Sequence, residues 1–354
     1  MKKKRIAVAM SGGVDSSVAA ALIARQGHDV IGITMCLSLP DPESGKPACC
    51  GAQGIDDARR VCGLLGIRHY VLDFGKEMRE KVIADFISEY KKGRTPNPCV
   101  RCNELLKFDA LLRKVKGLGF DFLATGHYAR IRKRGSVCYL TKAKDLSKDQ
   151  SYFLYRLTQD KLRHIVFPLG EMTKTQVRDT ARKLGLPVAE KKESQEICFI
   201  PGDYRNFLEA SGALGRGPGD FVDKEGKVLG RHRGIGFYTI GQRNGLGIAR
   251  GYPVYVSEID SANNRVIIGD KDALMKREFL VTDVVFPSGR PRKKGYLCRI
   301  RHLSREARAS VEIGDKTVTA CFSSPQFAIT PGQSAVFYDG ETVRCGGIID
   351  KVTG

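Results

Sequence analysis

The sequence predicts an α/β protein in which parallel strands and crossover helices give way to antiparallel β structure toward the C-terminus. Three observations predict it. Strand-like and helix-like runs alternate through roughly the first two hundred residues. After about residue 205, glycine and turn residues become dense, as in "GRGPGDFVDKEGKVLGRHRGIGFYTIGQRNGLG". From about residue 273 the apolar runs are short, alternating and bounded by turns, the pattern of a small antiparallel β-barrel or sandwich.

Taken in order, "RIAVAM" is a short apolar strand. "DSSVAAALIARQG" follows as a helix, with Val18, Leu22 and Ile23 on one side and Gly27 as its stop. "HDVIGITMCL" is a second strand, "GIDDARRVCGLLGI" a helix and "RHYVLDF" a third strand. "KEMREKVIADFISEYKKG" and "KFDALLRKVKGLG" are helices, the second feeding one long strand, "FDFLATGHYARI". "MTKTQVRDTARKLGLP" is a helix with capping-box spacing at Thr173 and Gln176, ended by Gly185 and Pro187. "FLVTDVVF", "YLCRIRHL", "ARASVEI", "KTVTACF" and "SAVFYDG" supply the late strands, and "LPDPESGKPACCGAQG" is a long polar loop. The expected divisions are residues 1–205, 206–272 and 273–354.

Composition narrows the function classes. A chain of 354 residues, 42% hydrophobic and 28% charged, reads as globular rather than disordered. No apolar run approaches the roughly 18 residues of a membrane span. The start "MKKKRIAVAMSGG" has too short an apolar run for a signal peptide and reads as a strand, so the expected location is the cytoplasm. Eleven cysteines in a reducing compartment serve chemistry, metals or packing rather than a disulfide scaffold. Cys36, Cys62, Cys138, Cys298, Cys321 and Cys345 sit singly in apolar patterns and read as small packing residues. The net charge of +20 suits a polyanionic partner, nucleic acid above all, although a solvated basic surface gives the same sum. With no Trp, a stacking platform for single strands has little support.

The most informative stretch is "AVAMSGGVDSSVAAAL". A strand runs into Ser11, Gly12, Gly13, Val14, Asp15 and Ser16, and a helix begins at once. Two glycines bring backbone N–H groups close to a ligand, the helix N-terminus adds donors and partial positive charge, and together these cradle phosphate. Ser11, Ser16 and Ser17 add hydroxyls, and Asp15 is placed to hold Mg²⁺ against the phosphates. The pattern is neither a Walker A loop nor G-x-G-x-x-G. Ser-Gly-Gly-x-Asp-Ser resembles the loop of the N-type ATP pyrophosphatases, the PP-loop superfamily, which cleave ATP between the α and β phosphates and adenylate a substrate oxygen.

The cysteines discriminate within that superfamily. "RTPNPCVRCNELLKFDALL", "ATGHYAR" with "SKDQSYFLY", "ESQEICFIPGDY", "RGIGFYTIGQRNGLGI" and "TPGQSAVFYDGETVRCGGIID" occur in this order. Over nearly the whole chain they closely resemble the tRNA-specific 2-thiouridylase family. The resemblance implies a PP-loop ATP-binding catalytic domain with a parallel sheet, a small central domain and a C-terminal tRNA-binding β-barrel. It implies ATP-dependent 2-thiolation of the wobble uridine of tRNA. AMP is placed on the C2 oxygen of uracil, pyrophosphate leaves, sulfur attacks C2 and AMP departs. ATP contacts are implied from Ala9, Met10, Ser11, Gly12, Gly13, Val14, Asp15 and Ser16, with Met35 at the adenine and Gly126. Contacts to tRNA are implied from Asn97, His127, Lys148, Asp149, Gln150, Arg299, Ile300 and Gln333. Cys198 is the implied persulfide carrier and Cys102 the second catalytic thiol, able to resolve the persulfide through a Cys102–Cys198 disulfide. Both need access and a lowered pKa.

Cys99 departs from the family pattern, in which Asn-Pro-Asp is common where this chain has Asn97-Pro98-Cys99. Two further readings of the thiols stay open here. Cys99, Cys102 and Cys198 are a possible ligand set for a [4Fe–4S] cluster with one open iron, and a zinc site would need a fourth ligand such as Cys49 or Cys50. The adjacent Cys49 and Cys50 read either as loop thiols or as a sulfur relay. A sulfur donor is expected as partner: a sulfur-carrier protein, a cysteine desulfurase or inorganic sulfide. Arg290, Arg292, Lys293, Lys294, Arg299, Arg301, Arg305 and Arg308 stand against the single acid Glu306, with Arg299 and Arg301 expected to share a phosphate-binding face. The rival functions are another PP-loop adenylating synthetase, which needs no thiol pair, and an RNA-binding iron–sulfur protein without turnover.

Overall fold

A computed structural model describes residues 3–40, 47–48, 52–192, 197–200, 202–212, 216–291 and 293–353. The N-terminal half of the chain builds a five-stranded parallel sheet whose strands run, in spatial order, Arg68–Asp73, Asp29–Cys36, Arg5–Ala9, Phe122–Ala124 and Ile165–Val166. Pairing is in parallel register on both sides of the first strand, Ile6 opposite Val30 on one side and Phe122 on the other. Apolar runs form the central strands Arg5–Ala9 and Asp29–Cys36, which are largely buried, while the edge strand Arg68–Asp73 is largely exposed. The strand order reverses on passing Arg5–Ala9, and in open parallel sheets the crevice at such a reversal, beyond the carboxyl ends of the strands, is where ligands sit. Ser11–Ser16 and Gly126 both follow strands that flank this reversal.

Two long helical segments separate the third and fourth strands of the chain. Residues 75–91 and 98–117 are each helical throughout, and each widens to a π-helix, over Met78–Ile83 and Cys102–Leu111 respectively. Such widening is frequent at functional sites. Asn97 caps the second, its Oδ1 accepting from the Val100 amide at 3.3 Å, with Pro98 at the first helical position, where its missing N–H costs nothing. The helix Lys174–Lys183 has the capping box its sequence predicts, Thr173 and Gln176 bonding reciprocally.

The expected long strand "FDFLATGHYARI" is two strands. The sheet strand ends at Ala124, Thr125–Tyr128 turn away, and Ala129–Arg134 then pairs antiparallel with Val137–Lys142. This hairpin belongs by sequence to the catalytic region but joins the C-terminal sheet, where Thr141 pairs with Thr342. A four-stranded central sheet contains Val228–His232, Gly219–Val222, Arg265–Gly269 and Tyr255–Asp260 around a core of Phe221, Phe237, Val256 and Val266. Six antiparallel strands from Met275 to Val352 form the last unit. Met275–Val285 pairs with both Val318–Phe327 and Thr342–Val352, which closes them into a barrel rather than a sandwich.

Candidate active site

The phosphate loop is internally braced. Gly12 has φ +71°, and a Cβ there would lie 2.1 Å from the Gly54 carbonyl oxygen, so the second helix sits directly on a glycine that cannot be replaced. Ser16 Oγ accepts from the Ser11 amide at 3.2 Å and donates to the Gly13 carbonyl at 3.1 Å, and Ser17 Oγ donates to the same carbonyl at 2.9 Å. A Cβ on Gly126 would fall 2.7 Å from the Ser16 nitrogen, which places Gly126 against the loop across the strand reversal. Ala9 ends its strand at the loop, Met35 is the penultimate residue of the neighbouring strand, and the Met10 amide donates to the Ile33 carbonyl at 2.8 Å. Val14 and Ser16 are buried at the start of the helix Val14–Arg25.

Four residues at this site were not foreseen from the sequence. Lys174 Nζ lies 2.7 and 2.8 Å from the two carboxylate oxygens of Asp15, and the Tyr128 hydroxyl donates to Asp15 Oδ1 at 2.8 Å. Asp15, expected to meet a metal, therefore meets an ammonium. A signal for Lys174 existed: it opens a helix, where the macrodipole disfavours a cation unless a carboxylate faces it. Lys191 Nζ donates to the Gly12 carbonyl at 3.0 Å and to Asp57 Oδ2 at 2.7 Å, tying the loop, the second helix and the segment that leads toward Cys198. Lys107 is the charge that faces Cys99, Cys102 and His127.

The thiols are gathered on one side of the same domain. Cys102 is 8% exposed in a cluster with Met78, Phe86, Leu106, Phe199 and Ile200, against which Met35, Leu37 and Ile197 pack. Ile197 and Phe199 flank Cys198, which is exposed. Segments almost a hundred positions apart in the chain thus meet. Burial pushes the Cys102 and Cys99 thiols up from their ordinary pKa, with Lys107 pulling the other way, so Cys102 lacks the lowered pKa that sequence reasoning required of it. Among the described residues no group of three or more His, Cys, Asp or Glu side chains is arranged to hold a metal. The described residues thus give no support to a cluster or zinc on Cys99, Cys102 and Cys198. Cys49 and Cys50 lie outside the described residues. Cys36, expected to be a packing thiol, is disulfide-bonded.

The expected RNA contacts divide. His127 is half-buried between Phe108 and Phe167, ring centroids 5.7 and 5.9 Å away, with Nδ1 2.7 Å from Thr125 Oγ1. Desolvation holds its pKa well below the usual histidine range, so it is a neutral imidazole. Asn97 is at the helix start described above, 2 residues before Cys99. Gln333 Nε2 donates to the Thr95 carbonyl at 2.9 Å and so positions that start from the barrel. Gln150 Oε1 accepts from the Tyr128 amide at 2.9 Å. Lys148 is half-buried in the same turn, and Ile300 is buried.

Asp149, Arg299 and Arg301 are engaged within the protein. Asp149 is 2% exposed and accepts from the Ala143 and Ser151 amides and the Ser151 hydroxyl. Arg299 is ion-paired to Asp149 at 3.2 Å and to Glu306 at 2.8 Å. Arg301 donates to the carbonyls of Ile240 and Ala328 and to Thr330 Oγ1. These guanidiniums tie the barrel to the N-terminal domain and to the central unit. Arg292 lies outside the described residues.

Comparison with known proteins gives the same architecture. A family model described as "tRNA methyl transferase HUP domain" matches residues 4–202, and those described as "tRNA methyl transferase PRC-barrel domain" and "Aminomethyltransferase beta-barrel domain" match residues 205–270 and 276–349. A Clostridium beijerinckii protein named tRNA-specific 2-thiouridylase MnmA is 47% identical over 356 residues, covering 99% of each chain. The chain belongs to the tRNA-specific 2-thiouridylase family. A Geobacter metallireducens member is 48% identical over 357 residues, covering 98% of this chain and 97% of its own. One from Syntrophus aciditrophicus is 47% identical, covering 99% and 93%. Among the described residues no helix of the family fold here is long and apolar enough to cross a membrane.

Proposed function

We propose that the protein is an ATP-dependent tRNA-uridine 2-sulfurtransferase, in which the loop Ser11–Ser16 activates the base and Cys198 and Cys102 deliver sulfur. The observation that carries this reading is the packing of Cys102 with Ile197 and Phe199 on the domain that bears the phosphate loop. An amide-forming synthetase of the same superfamily has no use for two thiols brought together. The methyl transfer named in the family model finds no counterpart in a loop of Ser-Gly-Gly-Val-Asp-Ser.

In the first half-reaction the uracil O2 attacks the α-phosphorus of ATP and pyrophosphate leaves, while N3–H gives up its proton. Backbone N–H groups of the loop and the helix start receive the phosphates. Lys174 is placed to follow charge from Asp15 to the departing pyrophosphate. A divalent cation on the phosphates would take the Asp15 carboxylate and neutralise charge developing on the leaving group. In the second half-reaction the outer sulfur of a Cys198 persulfide attacks C2 and AMP departs with the C2 oxygen. The Cys102 thiolate then attacks Cys198 Sγ, the S–S bond to the base breaks, thiouridine is released and a Cys102–Cys198 disulfide forms. A dithiol reductant and a sulfane-sulfur donor reset the pair. No step is assigned to iron or zinc.

Incubation with ATP, Mg²⁺, a sulfane-sulfur source and unmodified tRNA, followed by nucleoside mass spectrometry, tests the reading. It predicts 2-thiouridine and an equal amount of pyrophosphate. Pyrophosphate release without thiolated nucleoside, in the presence of every sulfur source, would replace it with the adenylating-synthetase reading.

A further inference from the structure

Arg299 and Arg301 leave the question of where the phosphate-binding charge lies. A cavity of about 320 Å³ opens where the hairpin Ala129–Lys142 meets the barrel, its lining including Arg132, Arg134, Tyr139, Thr141, Arg344 and the carboxylate of Asp339. Register explains its composition. Arg132 is paired across the hairpin with Tyr139, and Thr141 with Thr342 on the barrel strand. Continuing that antiparallel register sets Arg344 beside Tyr139, and its guanidinium lies 5.9 Å from the ring centroid. Arg134 lies 6.0 Å from the same ring. A row of guanidinium, tyrosine and guanidinium thus crosses three strands on one face.

Charge compensation falls away along this face. Arg130 is held by Glu341 at 2.8 Å and Glu171 at 3.5 Å, and Arg132 by Glu171 at 3.2 Å. Arg134 and Arg344 have no carboxylate partner among the described residues. The acid in the cavity lining, Asp339, is already neutralised by Lys293 at 2.8 Å. A polar cavity with two uncompensated guanidiniums around a half-exposed aromatic ring matches a sugar–phosphate chain, which offers anionic oxygens to the forks and an unstacked base or ribose to the ring. The geometry also fits the active site. Tyr128, bonded to Asp15, directly precedes the strand Ala129–Arg134, whose five steps span about 17 Å. RNA presenting a uridine at the loop must lay flanking phosphates within that reach.

We infer that the Arg134–Tyr139–Arg344 cleft is a phosphodiester-binding site for the RNA strand flanking the target base. It rests on the proposed action on tRNA but makes its own claim about where the strand runs. The test compares wild type, Arg134→Gln/Arg344→Gln and Arg134→Lys/Arg344→Lys. Affinity for tRNA and for a plain oligouridylate is measured by fluorescence anisotropy from about 50 to 300 mM KCl, a range over which phosphate contacts lose most of their strength. The glutamine pair should weaken both RNAs about tenfold or more near 0.1 M salt and flatten the salt slope by roughly 1.4, about 0.7 per lost contact to a single strand. The lysine pair should keep the slope. Unchanged affinity and slope in the glutamine pair overturn the inference, as does a lysine pair as weak as glutamine. Wild-type thiolation is scored separately, so a protein that binds RNA through the cleft without thiolating it sinks the function and leaves the cleft standing.

Discussion

In the loop Ser11–Ser16 the serine hydroxyls, Gly126 and the Asp15–Lys174 pair are already arranged around a space for phosphates, whereas Cys102 lies in an apolar cluster that raises its pKa while Cys198 is exposed. The two regions share one domain but differ in readiness. Adenylation needs only ligands, because backbone donors and a helix dipole cost no reorganisation. Sulfur transfer needs a thiolate, and a buried neutral thiol is a poor nucleophile until substrate, Lys107 or movement of the Cys198 segment changes its surroundings. The difference predicts an order: adenylation can proceed on the preformed loop, whereas release by Cys102 waits on a change around its buried thiol.

The largest expected effect separates the two regions outright. Cys198→Ala and Cys102→Ala should each lower thiolation by about 10³-fold or more while leaving ATP affinity by calorimetry unchanged, since neither touches the loop. Lys174→Met attacks the other side. It should lower kcat/KM for ATP by about 10²-fold, the scale of losing one preorganised charge on a leaving phosphate, without altering alkylation of Cys198 by iodoacetamide.

A third change tests the reassigned arginine. Arg299→Ala strips the partner from the buried Asp149 and should destabilise the fold by about 3 kcal/mol, seen as a lower thermal midpoint. Native stability with lost RNA affinity would return Arg299 to the RNA surface.

The smallest effect concerns pH. The Cys102 pKa is raised by burial, so its alkylation should keep climbing to a higher pH than that of an ordinary cysteine. Lys107→Met removes the one opposing charge and should push that profile further up, slowing thiolation a few-fold near neutrality. A profile shifted down would mean that Lys107 does not act on this thiol.

How much was legible follows from which groups are contiguous in the chain. The phosphate loop is six adjacent residues between a strand and a helix, so its chemistry could be read directly. Gly126 and the thiols came from resemblance, and packing gives them a physical reason. Lys174 is 159 positions from Asp15, and only the fold shows the pair. Arg299 and Arg301 looked like a basic face because sequence counts charges without showing which carboxylates and carbonyls meet them. The hairpin Ala129–Lys142 was misread as the end of a sheet strand, because alternation of apolar residues runs straight through the turn at Gly126. That error hid the arginine cleft, which exists only once the hairpin is laid against the barrel.

The central claim is that sulfur passes through Cys198 and is released by Cys102. One single-turnover reaction with persulfidated protein, ATP and unmodified tRNA, quenched by alkylation and followed by peptide mass spectrometry, tests it most directly. A Cys102–Cys198 disulfide appearing in step with 2-thiouridine, and only when ATP and tRNA are both present, is the predicted result. Thiolated tRNA formed while both cysteines are recovered as alkylated thiols would contradict it.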